Sequence, residues 1–169
     1  MTHLPKYLED TGTGATVGAH AIALIGLTNV IGTALAGMLG GKYKKKNLLA
    51  GLYIGRSLVM LAFFLSPVTQ TSVYLFAACI GFLWLATVPL TAGLVSGFFG
   101  PRYMATLYAI AFLSHQIGGF LSTWMGGIVR DATGSYDQWW WIIIFGGMLA
   151  ALFHLPIQER PVERLAQPA

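Results

Sequence analysis

Charge is scarce in this chain. Of its 169 residues only 9% are Asp, Glu, Lys or Arg, against roughly a quarter in a soluble domain, so too few charges are present to coat a water-facing surface. Cysteine is scarcer still, and a single one excludes a disulfide scaffold or a zinc finger while leaving the redox compartment open. The chain opens on a polar stretch, residues 1–14, where a cleavable export signal would show a basic start and a short apolar core. Enzyme signatures are missing too: no HExxH, no GxSxG, no phosphate loop and no paired carboxylates inside an apolar run. Asp131, followed by Thr133, Gly134 and Ser135, reads as a turn cap rather than half of an acid/base pair. Neither catalysis nor a cofactor or metal is expected.

What the chain has in abundance is apolar length. Hydrophobic residues make up 56% and the mean hydropathy is +0.67. A hydrocarbon-spanning helix needs about 20 apolar residues, and five such runs are legible, at residues 14–39, 47–65, 73–98, 103–129 and 139–157. The runs are apolar all round, whereas the strands of a membrane barrel would alternate polar and apolar over about ten residues. The expectation is an all-α polytopic membrane protein whose immediate partner is the lipid bilayer. Residues 1–13 read as an outer polar segment and residues 158–169 as a cytoplasmic tail. Pro89 removes the amide that would pair with the Leu85 carbonyl, so the third span is expected to kink there.

A net charge of +4 and a pI near 9.4 would suggest nucleic acid in a soluble protein. Here Lys42, Lys44, Lys45 and Lys46 sit in one short run between apolar segments, which suits a cytoplasmic membrane loop instead, and no nucleic-acid partner is expected. With that loop inside, Arg102, Arg160 and Arg164 fall on the same side, and only Lys6 and Arg130 lie outside. The predicted orientation in the inner (plasma) membrane therefore puts the amino terminus outside and the carboxyl terminus in the cytoplasm. Trp139, Trp140 and Trp141 are then expected at the outer interface, where indoles concentrate.

The segment GFLWLATVPLTAGLVSGFFG at residues 81–100, followed by SHQIGGF and GGIVRDATGSYDQWW, resembles the carboxyl-terminal half of a major facilitator superfamily transporter of the monocarboxylate or oxalate/formate antiporter type. Residues 1–10 are similar to the stretch after the seventh helix of that fold, and the five spans then correspond to helices eight through twelve. The resemblance implies transmembrane secondary transport of a small, monocarboxylate-like anion. It also implies a missing amino-terminal half or partner chain, without which the piece is inactive. The alternative is a half-size membrane partner that docks on another chain and does not itself transport. Gly37, Lys42, Lys45 and Lys46 fit the family's short cytoplasmic loop motif, while Gly41 stands where an acid is usual.

Ionisable and polar groups within the spans are the site candidates. Arg56 lies near the middle of its span with no Asp or Glu in any span to pair with it, so a carbonyl, water, the absent half or a substrate anion must receive it. The register of the resemblance puts His115 and Gln116 on a cavity-lining helix; a histidine ring both binds a carboxylate and carries a proton near neutral pH. Thr28 and Asn29 in the first span, with Thr87 and Thr91 around Pro89, add neutral polar groups. Small residues recurring every four positions, among them Gly51 and Gly55, Gly93 and Gly97, and Gly118, Ser122 and Gly126, are expected to bring helices close.

Overall fold

The computed structural model describes residues 3–162 and is all-helical among them. Helix α1 (Leu4–Asp10) is a short cap, ended by Gly12 and Gly14 at positive φ. Helix α2 (Ala15–Gly40) runs the full length of the bundle to the lysine loop, and α3 (Lys45–Leu65) returns. Helix α4 (Gln70–Trp84) opens on a reciprocal cap: Thr69 Oγ1 accepts from the Ser72 amide at 3.1 Å and Ser72 Oγ from the Thr69 amide at 2.9 Å. After a two-residue break comes α5 (Thr87–Phe99), then α6 (Pro101–Thr133) and α7 (Asp137–His154). Gly100 at φ +75° and Pro101 in the first turn set the start of α6, and Gly134 at φ +76° ends it.

Four stretches are long and apolar enough to cross a bilayer: α2, α3, the combined Gln70–Phe99 segment and α6. The run expected at residues 139–157 corresponds to α7, which is 18 residues long and packs along α3. Its ends carry Asp137 and His154.

Two clusters hold the bundle. One, near α1, gathers Leu4, Leu8, Phe63, Phe76, Trp139 and Trp140; the other, toward the lysine loop, gathers Ala36, Leu49, Ala86, Leu90 and Leu94. Trp139 and Trp140 are thus core residues, where lipid-interface anchors were expected. The Trp140 ring packs on Phe63 and Tyr7, and only Trp141, 41% exposed, faces outward. The reason is the docking of α1 over this end, which adds Leu4 and Leu8 to the cluster that buries both indoles and sets Tyr7 against Trp140.

Close helix approach uses one glycine of each expected four-residue repeat, Gly55 against Leu83, Gly93 against the Lys45 stem and Gly126 against Trp139 and His3, and also two glycines outside the repeats. At Gly32 an added Cβ would overlap the Phe82 carbonyl, and at Gly81 it would meet the Ile25 backbone and Thr28, so these two let α2 and α4 cross. Gly51, Gly97, Gly118, Gly119 and Gly127 face open space instead. Helix α6 is the reason for most of these: Gly126 is its one buried residue. The expected kink is also displaced. The helix breaks at Leu85 and Ala86, one turn before Pro89, because the lost proline amide strands the Leu85 carbonyl; Val88 N reaches it at 3.0 Å across a tighter turn.

Candidate functional site

A break in the middle of a membrane helix leaves backbone groups that hydrocarbon cannot satisfy. Three predicted site residues converge on this one. Asn29 on α2 accepts the Leu85 amide through Oδ1 at 3.0 Å. From the opposite side Arg56 on α3 donates to the Leu83 carbonyl through Nε at 3.1 Å and Nη2 at 2.8 Å. Its Nη2 also donates to the Trp84 carbonyl and, at 3.3 Å, to Thr87 Oγ1. The guanidinium carbon lies 5.0 Å from the Tyr53 ring centroid and 5.4 Å from that of Trp84, within the range of cation–π attraction.

Nothing among the described residues accepts from Arg56 Nη1, and no side-chain nitrogen or oxygen is both fully buried and unpartnered. This nitrogen therefore has access to open space, and Arg56 lines a cavity of about 300 Å³. Tyr53, Ser57, Trp84, Thr123, Tyr136 and Trp139 are among its lining residues. Among the described residues Arg56 is the one formal charge that lines it, and no carboxylate does. Such a chamber favours a small anion with an apolar body: one guanidinium edge for the charge, aromatic faces for the rest.

His115 and Gln116 lie elsewhere. Both are exposed on α6, His115 with its ring near Phe112, and neither lines this cavity. Thr28 is spent locally, donating to the Leu24 carbonyl at 2.9 Å. The sequence did carry one overlooked signal: Tyr53, three positions before Arg56, shares its helix face. No comparable signal marks His3. Its Nε2 donates to the Thr123 carbonyl at 2.8 Å, leaving Nδ1 to accept from Tyr136 Oη at 3.3 Å. The same end is clasped by Arg130, whose Nε and Nη2 both donate to Asp10 Oδ2, at 3.1 and 2.9 Å.

The lysine loop is divided in use. Lys42 and Lys44 are exposed, Gly37 lies against Pro89, and the Lys45 stem lies over Gly93. The amide of Lys46 donates to Glu159 Oε1 at 2.8 Å and its Nζ to the Leu155 carbonyl at 2.9 Å. A carboxylate thus caps the start of α3 even though Gly41 stands where the loop motif has its acid. Arg164 lies outside the described residues.

Comparison with known proteins agrees with this architecture. The family model for the Major Facilitator Superfamily matches residues 1–123. An uncharacterized MFS-type transporter of Bacillus subtilis, YcxA, is 26% identical over 94% of this chain, and a second, YtbD, 25% over 88%. Monocarboxylate transporter 12-B of Danio rerio is 24% identical over 80%. The chain spans 40%, 37% and 29% of the lengths of these three relatives, respectively. No solved structure matches it. With the family model covering well over half of its length, the chain is a multi-pass membrane protein that belongs to the Major Facilitator Superfamily of transporters.

Proposed function

We propose that the chain is part of a secondary transporter moving a small anionic metabolite, monocarboxylate-like, across the inner (plasma) membrane. The observation that carries this reading is Arg56, whose Nη1 no described residue engages and which lines an aromatic cavity of about 300 Å³ with no carboxylate among its described lining residues. The name of the zebrafish relative supports the substrate class. Thr87, which accepts from Arg56, and Asn29, which holds the break open, keep the guanidinium in place.

Alternating access requires a second bundle to rock against the first. The relatives are longer than this chain, and the middle of α6 is bare, with His115, Gln116, Gly118 and Gly119 exposed. This supports a docking site for further helices, from a preceding half or a partner chain. In that arrangement His115 and Gln116 meet the substrate at the docked face of α6, apart from the cavity in which Arg56 holds its carboxylate. The same bare face also favours the rival reading, a half-size partner that docks without transporting.

Binding is the discriminating measurement. Trp84, Trp139 and Trp140 line the cavity, so a monocarboxylate entering it should quench indole fluorescence of the purified chain saturably. The matching neutral amide should not, and Arg56→Gln should abolish the response. Equal quenching by acid and amide would remove the anion site and leave the docking partner as the better reading.

A further inference from the structure

The oxygens gathered at the helix break have the composition of a cation site. In a continuous helix Val88 N would reach the Trp84 carbonyl; here it donates to Leu85 O at 3.0 Å, leaving Trp84 O to other donors. Leu83 O, Trp84 O and Thr87 Oγ1 all accept from the single guanidinium of Arg56. No carboxylate forms an ion pair with it among the described residues. The charge is held by neutral carbonyl and hydroxyl dipoles and by the faces of Tyr53 and Trp84. Arginine usually finds a carboxylate fork in proteins. Unwound carbonyls inside a membrane bundle are what transporters offer to small monovalent cations.

We propose that the break between α4 and α5 is a monovalent-cation site occupied by a tethered ion, the Arg56 guanidinium, and that removing the tether leaves a pocket that takes up a free cation. Charge and shape both define it. A planar cation can donate to three oxygens at once, while a neutral molecule of the same shape gains no ion–dipole attraction in a low-dielectric site. If the chain transports as proposed above, the fixed charge leaves this site no vacancy for a dissociable coupling ion.

The test uses the full chain in lipid nanodiscs and reads its thermal unfolding midpoint. Arg56→Ala should lower the midpoint. Millimolar guanidinium chloride should recover at least half of the drop, whereas urea, its neutral isostere, and choline chloride, its ionic-strength control, should recover none. The wild type should respond to none of the three. Equal recovery by urea, or no recovery by guanidinium, overturns the assignment. If Arg56→Ala does not fold, the folded yields of Arg56→Lys and Arg56→Met decide: the ammonium should retain at least twice the yield of the uncharged thioether, and equal yields overturn the assignment. No substrate enters these measurements, so failure here leaves the anion-binding reading to its own fluorescence test.

Discussion

Asn29 and Gly32 lie three positions apart on α2 and do unlike work against the same neighbour. Asn29 satisfies the Leu85 amide at the helix break. Replacing it with Leu strands that amide in the hydrocarbon region, and an unmet buried donor costs roughly 1–3 kcal/mol. A denaturant titration of the detergent-solubilised chain should show that loss for Asn29→Leu. Gly32 instead makes room, since any Cβ there would overlap the Phe82 carbonyl. Overpacking of this kind costs about 1–3 kcal/mol, so Gly32→Ala should be destabilised in the same titration. Gly118→Ala, on the open face of α6, should stay within about 0.5 kcal/mol of the wild type. Both glycines look alike in the sequence. Which one touches a backbone depends on how helices from distant parts of the chain cross, and the four-residue spacing does not encode that.

At the scale of elements, the apolar runs were legible because span length is a physical requirement of the bilayer. The expected run at residues 103–129 grew into α6, Pro101–Thr133, because Gly100 and Gly134 supply its stop signals. The run at residues 73–98 divided into α4 and α5 for the reason that proline gives, one turn earlier than its ring. Arg56 was readable as unpaired, but its acceptors were not, since carbonyls carry no sequence signature. Helix α1 escaped notice as a docking element because its contacts join residues more than a hundred positions apart. The Arg130 guanidinium, hydrogen-bonded to Asp10, holds that carboxyl below its ordinary value of 3.8, and Lys6 adds to this from 3.3 Å. A lowered folded-state pKa contributes stability above the ordinary value and loses it as pH falls through the lowered one. Amide exchange in α1 should therefore accelerate on acidification through that window, relative to the exchange expected from intrinsic pH effects. Asp10→Asn should show the loosened α1 already at neutral pH, with α3 and α4 unchanged. Equal protection of α1 in the variant and the wild type would mean that its apolar contacts and the His3 hydrogen bonds hold it without the ion pair.

For the whole molecule, the fold sorts basic residues to its two ends. Lys42, Lys44, Lys45, Lys46, Arg102 and Arg160 gather where α2, α5 and α7 finish, the tail being tied there by Val162 N on the Phe98 carbonyl at 2.8 Å. Lys6 and Arg130 lie at the other end, beside Asp10. Lysine and arginine are retained on the cytoplasmic side during insertion, so six against two among the described residues favours a cytoplasmic lysine loop. Acids do not count in this rule, and the Asp10 pair therefore does not weaken the asymmetry. Reporters active on only one side of the membrane, fused after Lys46 and after Gly134, should give opposite results: the first active in the cytoplasm, the second outside. Transferring positive charge from one end to the other should weaken that preference. Replacing Lys42 and Lys44, two exposed loop lysines, with Gln while adding two lysines beside Gly134 narrows the count over the full chain, Arg164 included, from seven against two to five against four and should produce a mixed population. An unchanged single orientation in that variant would mean that packing of the helices, rather than loop charge, sets the direction in which this chain inserts.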